Sequence, residues 1–256
     1  MSEIKKAILI GAGNVATHLA HALTKAGIEI AGIYSRKKSS ALLLANQLHI
    51  KGGDLQQITT KDVDLIIISV PDQALNDVLT QIPNSKALYV HTSGSADIKA
   101  LQQNRIGVFY PLQTFSKAKK MAFSGIPLML ETKLEDDYLI LENLAYKISD
   151  KVYKINSIQR KKIHIAAIFS SNFTNYLLHI AEDLLEKENI PFDVIRPLIE
   201  ETANKIKDLR PYNAQTGPAV RNDTETIDAH LKDLEDIPEY HEIYKLLSHR
   251  IIKSRK

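Results

Sequence analysis

The residues with most chemistry to offer stand near the start of the chain. Gly11-Ala12-Gly13-Asn14-Val15-Ala16 is a G-x-G-x-x-A run placed between an apolar stretch and a helical pattern. In that position Gly11 permits a tight turn, Gly13 lets the backbone approach a pyrophosphate, and small Ala16 allows close helix–strand packing. Gly11, Ala12, Gly13, Asn14 and Val15 are therefore candidates to hold dinucleotide phosphates at the positive end of a helix opening near Asn14. The competing reading is a tight turn without a ligand. A second apolar run ends in Tyr34-Ser35-Arg36-Lys37-Lys38. An NAD site usually carries Asp or Glu here for the ribose 2′-hydroxyl, whereas Ser35, Arg36 and Lys37 offer a hydrogen bond and positive charge to a 2′-phosphate. NADP is thus expected over NAD, with a solvated basic turn as the alternative.

Further candidates lie at later strand ends. Val70-Pro71-Asp72 and His91-Thr92-Ser93-Gly94-Ser95 each follow an apolar run. Ligands of open α/β sheets bind outside the carboxyl ends of the strands, so Val70, Pro71, Asp72, His91 and Thr92 would flank the nicotinamide. Ser95 reads better as the N-cap of a helix over Ala96–Leu101, while Ser93 and His91 stand equally as site or structure. Farther on, residues 164–182 placed at about 100° per residue divide into two faces. Ile165, Phe169, Phe173, Tyr176, Leu177 and Ile180 should face the core. Opposite them gather His164, Ser171, Asn172, Asn175, His179 and Glu182. Neutral hydrogen-bonding groups of this kind line a half-buried substrate cleft, a polar packing layer or a subunit contact. As a substrate wall the stripe makes His164 a proton donor, with Ser93 a second donor and Asn172 and Asn175 orienting groups. The run Ala214–Ala219 with Arg221 and Asp223 either holds a substrate carboxylate or merely joins two helices through an Arg221–Asp223 pair. Gln113, after a strand ending Tyr110-Pro111, is a weaker candidate.

Several chemistries are excluded. The chain has no Cys, hence no disulfide framework, thiolate zinc site, iron–sulfur cluster or cysteine nucleophile. There is no H-E-x-x-H, no carboxylate cluster for a metal and no G-x-S-x-G elbow. His18 and His21 read as surface residues, and Gly52-Gly53-Asp54 as a turn.

The elements that must position these residues follow from apolar periodicity. Short runs at Ala7–Ile10, Ile28–Tyr34, Leu65–Val70, Ala87–Val90, Ile106–Phe109, Ile126–Leu130 and Lys151–Ile155 read as strands, alternating with helices over Val15–Ala26, Ser39–Leu48 and Leu134–Ile148. The unbroken apolar Leu65–Val70 suits a central parallel strand covered on both faces. No convincing strand follows Ile155. Helices are expected over Arg160–Glu188, Asp193–Leu209 (Pro197 tolerated in the first turn), Thr224–Leu234 and Tyr240–Lys253. The expected fold is α/β: a Rossmann-type, doubly wound, mostly parallel sheet over 1–155, followed by an all-α domain over 156–256.

Length and composition agree with this plan. The chain has 256 residues, 44% hydrophobic and 25% charged, and a net charge of +3. Such a balance demands neither nucleic acid nor an anionic membrane, and the basic end His249–Lys256 reads as solvated. The apolar run Ala7–Ile10 is too short for a signal-peptide core, and no stretch reaches the roughly 18 apolar residues of a membrane span, which places the protein in the cytoplasm.

Taken in order, GAGNVATHLA, the SR after strand two, VPD, HTSGS, FYPLQTFS, SSNFTNYL and AQTGPAVRND resemble the Rossmann-like proteins with a DUF2520 carboxyl-terminal domain. That family is similar to F420-dependent NADP oxidoreductases, pyrroline-5-carboxylate reductases and β-hydroxyacid dehydrogenases. The resemblance implies a nicotinamide-dependent oxidoreductase that dimerises through its helical domain, and names no substrate. β-Hydroxyacid dehydrogenases carry a catalytic Lys four residues before an Asn. If Asn172 matches that Asn, Ile168 occupies the Lys position, which sets aside lysine-assisted chemistry. The function expected is NADP-dependent reduction of a small carbonyl or imine substrate. The alternative is a non-catalytic NADP-binding sensor or partner protein.

Overall fold

The computed structural model describes residues 3–100 and 103–255. Its chain divides into two compact units, Met1–Asn172 and Phe173–Lys256. The first unit is built on β1 (Lys6–Ile10), β2 (Glu29–Tyr34), β3 (Gly52–Gly53), β4 (Leu65–Ile68), β5 (Leu88–His91), β6 (Ile106–Pro111), β7 (Leu128–Thr132) and β8 (Val152–Lys154). These form one sheet in the order β3-β2-β1-β4-β5-β6-β7-β8. All neighbours pair in parallel except β6 and β7. The strand order reverses between β1 and β4, the switch point where such sheets bind ligands.

Alternation along the continuous apolar strands sorts side chains into two core layers. Ala7, Leu9, Leu65, Ile67 and Val90 pack on the face that carries α1 (Asn14–Lys25), α2 (Lys38–Gln47) and α4 (Glu135–Tyr146). Ile8, Ile10, Ile66, Ile68, Tyr89 and Val108 pack on the other, with α3 (Leu75–Gln81). Both faces are covered, which is why these strands read as unbroken apolar runs. The α/β class expected from sequence is thus observed, and all described elements after β8 are helical.

Four local expectations are corrected. Gly52 and Gly53 form a parallel edge strand beside Ile33 and Tyr34. Glycine has no side chain to advertise a strand, yet a Cβ at Gly52 would stand 2.7 Å from that of Ala45, so α2 packs there only because it is absent. Over Ala96–Leu101 the structure shows a 3-10 turn at Ile98–Ala100 (Leu101 lies outside the described residues). Its entry is capped by Asp97, whose Oδ1 accepts the Lys99 amide at 2.9 Å, rather than by Ser95; Ser93 Oγ accepts the amides of Ser95 and Ala96 in the loop before it. His18 is buried: its Nε2 is 2.9 Å from the Ser116 carbonyl and its ring 5.0 Å from Phe115. His21 is exposed.

The fourth correction concerns the long helix. It starts at α5 (Ser157–Ala167), where Asn156 and Gln159 form a reciprocal capping box, and passes through a π-helical turn, Ile168–Phe173, before α6 (Thr174–Lys187). A π turn adds a residue and rotates every later position, so one 100° wheel cannot place residues 164 and 175 on a common face. Of the apolar stripe only Ile180 is buried; the rest are exposed, from 40% at Leu177 to 65% at Phe169. Periodicity reports that a face is apolar, not which molecule covers it.

The second unit contains α6, α7 (Arg196–Asp208), the short α8 (Pro211–Ala214) and α9 (Pro218–Arg221), α10 (Thr224–Asp233) and α11 (Pro238–Ser254). Pro197 sits in the first turn of α7, where its missing amide costs nothing. Ile180, Ala219 and Ile227 are its buried apolar residues. The Tyr240 hydroxyl donates to Asp183, and Tyr244 lies 2.7 Å from His230 Nδ1. No helix among the described residues is long and apolar enough to cross a membrane.

Candidate active site

The turn between β1 and α1 is pinned from both sides. Gly11 donates its amide to the Tyr34 carbonyl at 2.7 Å, and Ser69 donates to the Ile10 carbonyl at 2.7 Å. Gly11 has φ +109°, and a Cβ there would sit 2.0 Å from the Ser69 carbonyl oxygen. Only glycine can hold this turn. At Gly13, by contrast, a Cβ would meet nothing within 4 Å. The turn therefore opens into space, a cleft of about 250 Å³ lined by Gly11, Ala12, Gly13, Ser35, Arg36, Val70 and Pro71 of the expected set. Ser40, Leu55, Ser69 and Val78 line it too and were not expected. Ala16 is fully buried and lets α1 lie close to the sheet. The first turn of α1 carries no acidic residue, so its positive end is not neutralised. A bare backbone cradle at an unscreened helix start, open beside Gly13, fits a dinucleotide diphosphate.

The remaining expected residues divide. Val15 is half-buried against the core, and the Asn14 side chain donates to the Phe115 carbonyl at 2.9 Å. Ser35 Oγ accepts from the Lys37 amide at 3.3 Å, while Arg36 and Lys37 are exposed. Thr92 donates to Ser69 Oγ at 3.1 Å, linking the ends of β4 and β5, and Ser95 donates to Asp72.

Around this second link the structure gathers a polar cluster. His91 ends β5 and is 1% exposed; its Nδ1 accepts the Ser93 amide at 3.2 Å, and its Nε2 has no protein partner. Burial, reinforced by the nearby Arg160 charge and opposed by Asp72, lowers its pKa to about 3, so it is neutral with the proton on Nε2. Tyr110, at the end of β6, lies 3.0 Å from His164 Nδ1 through its hydroxyl. Burial raises the Tyr110 pKa, which keeps that hydroxyl protonated. Gly94 makes room for the pair, since a Cβ there would come within 2.6 Å of His164 Nδ1. Beneath lies Arg160 of α5, fully buried, donating to Glu131, the Ala96 carbonyl and Ser157. Ser157 also donates to Glu131 at 2.8 Å. This network ties α5, and with it His164, to β7 and to the loop after β5.

His164, Ser93, His91 and Asp72 thus belong to one neighbourhood of the first unit. Asn172 ends that unit and Asn175 lies in the second, both exposed. Sequence reasoning weighed Gln113, whose carbonyl is used by the neighbouring Thr114 amide. It missed Tyr110, although alternation places positions 106, 108 and 110 on the face shared by 89 and 91. Arg221 and Asp223 approach to 3.8 Å, and Asp223 caps α10 through the Thr226 amide. Among the described residues no group of three His, Asp or Glu side chains could hold a metal.

Comparison with known proteins matches two stretches of the chain, the second beginning within the first compact unit. The family described as "NADP oxidoreductase coenzyme F420-dependent" matches residues 6–92, and "Domain of unknown function (DUF2520)" matches residues 126–251. The crystal structure of "putative NADP oxidoreductase BF3122" from Bacteroides fragilis is 41% identical with a TM-score of 0.92, covering 98% of each chain. Protein TM1727 from Thermotoga maritima is 25% identical with a TM-score of 0.70, over 97% of this chain and 98% of that one. A 1-pyrroline-5-carboxylate reductase from Streptococcus pyogenes, at 15% identity and TM-score 0.62 over 98% of each chain, shares the fold. No curated protein matches the chain significantly. Glycine turn, strand order, helical half and a 41% identical full-length relative agree, and the chain belongs to the Rossmann-like proteins with a DUF2520 carboxyl-terminal domain.

Proposed function

We propose that the protein is an NADP-dependent oxidoreductase acting on a small carbonyl or imine compound in the cytoplasm. The observation that carries this reading is the Tyr110–His164 pair on the same sheet edge as the open glycine cradle. The backbone from Gly11 to Val15 would hold the diphosphate, and Ser35, Arg36 and Lys37 the 2′-phosphate. Val70, Pro71, Asp72, His91 and Thr92 would flank the nicotinamide. Bound NADPH supplies a hydride.

His164 supplies the proton. As an imidazolium it donates through Nδ1 to the Tyr110 hydroxyl and keeps Nε2–H for the substrate oxygen or nitrogen. Once that proton is given, the same hydrogen bond retains the Nδ1–H tautomer, so the ring stays in place through the step. Ser93 is a second donor, and Asn172 and Asn175 orient the substrate. The functional division is 1–155 for the cofactor and 156–256 for substrate and dimerisation. The exposed apolar residues of the helical part support a homodimer.

The experiment is a calorimetric titration with NADPH and then NADH in matched buffer. Tight NADPH binding that weakens in Arg36→Ala is expected, followed by turnover in a carbonyl and imine screen that His164→Ala abolishes. Binding of neither cofactor overturns the reading. Binding without turnover on any substrate favours a cofactor-binding sensor.

A further inference from the structure

The segment after β6 does something the motif does not foretell. In the sheet, β6 is separated from β1 by β4 and β5, roughly 14 Å at the usual strand spacing. The chain leaving Pro111 nevertheless returns to the glycine turn and fastens to it at successive residues. The Phe115 carbonyl accepts from the Asn14 side chain at 2.9 Å, and the Ser116 carbonyl lies 2.9 Å from His18 Nε2. Lys117 Nζ donates to the Ala12 carbonyl at 2.7 Å. Phe115 anchors the strap, tilted against the His18 ring at 5.0 Å and stacked on Phe123 at 6.0 Å.

The strap thereby delivers a cation to the turn. Ala12 lines the cleft beside Gly11 and Gly13. An ammonium has three protons, and the Ala12 carbonyl takes one of those on Lys117. The turn itself offers only neutral amides and a helix end, while a dinucleotide diphosphate brings two negative charges. Arg36 and Lys37 serve the other end of the cleft, after β2.

We propose that Lys117 is a cofactor-binding residue that neutralises the dinucleotide diphosphate, with Phe115, Ser116 and His18 positioning it. This rests on the glycine turn being a dinucleotide site. The test compares wild type with Lys117→Met, which keeps the apolar stem, and Lys117→Arg, which keeps the charge. NADPH and adenosine 2′-monophosphate, which lacks the diphosphate, are the probes, titrated at several salt concentrations. Lys117→Met should weaken NADPH about tenfold and flatten its salt dependence, leave adenosine 2′-monophosphate binding and the thermal midpoint unchanged, and be rescued largely by Lys117→Arg. Wild-type affinity for NADPH in Lys117→Met overturns the proposal, as does equal weakening of both probes. If wild-type protein binds neither NADPH nor NADH, the dinucleotide reading itself has failed.

Discussion

Tyr110 and His164 are held 3.0 Å apart, hydroxyl to Nδ1, against a residue that has no side chain. The intervening Gly94 is the steric condition of that contact, because its Cβ would lie 2.6 Å from His164 Nδ1 and 3.0 Å from Tyr110 Cζ. Gly94→Ala must therefore displace one ring or the other. A loss of about 1–3 kcal/mol is expected from such overpacking, with a changed His164 imidazole resonance in the NMR spectrum. Tyr110→Phe keeps the packing and removes only the hydrogen bond, so it should cost about 1 kcal/mol and still move that resonance. An unchanged His164 signal in both variants would remove the basis for the pair.

His91 makes stability depend on pH. In the unfolded chain its pKa is near 6.5, and in the folded protein burial, then the Arg160 charge, lowers it to about 3. Between those values the unfolded state binds the additional proton. Stability from this source is therefore complete above pH 6.5 and declines as pH falls toward 3, by up to about 1.4 kcal/mol per pH unit. Urea unfolding of wild type and His91→Asn from pH 7.5 to 4.5 should give diverging slopes, the variant being flatter. Parallel profiles would show that His91 is not held neutral.

The buried pair of Arg160 and Glu131 is expected to be far costlier to break than to replace. Arg160 is 0% exposed and also donates to the Ala96 carbonyl and Ser157. Arg160→Met leaves Glu131 half of a pair in a largely buried place, at roughly 3–5 kcal/mol. Adding Glu131→Leu removes the stranded charge and should recover much of the loss. Denaturant midpoints with m-values decide this, and equal stability of the single and double variants would contradict it.

How much of this could be read beforehand depends on whether a residue's role is local. The glycine turn was legible because Gly11 answers to a backbone φ that only its own type tolerates, and the strands because two covered faces demand continuous apolar runs. The Gly52–Gly53 strand was not, since its pairing rests on what α2 cannot accommodate. Tyr110 escaped because its partner is 54 positions away. The polar stripe was drawn on a single period, whereas the π turn at Ile168–Phe173 shifts the helical phase between His164 and Asn175, which no fixed period can register. The apolar stripe was correctly recognised as apolar, but burial in the same chain was an added assumption.

That exposed apolar surface yields the last expectation. On α7, Leu198 is 66% and Ile206 55% exposed, and they fall within about 80° of each other around the helix, flanked by exposed Val194 and Leu209. Burying each such side chain is worth roughly 1.5–3 kcal/mol, and a monomer has little reason to leave a run of them in water. Wild-type protein should therefore be a dimer in sedimentation equilibrium. The double substitution Leu198→Lys with Ile206→Lys places two like charges on each face of a self-complementary contact, where repulsion and lost burial act together. The variant should sediment as a monomer while its far-ultraviolet circular dichroism stays that of the wild type, because neither residue supports its own unit's core. A variant that remains dimeric would remove α7 from the interface, and a monomeric wild type would end the homodimer reading altogether.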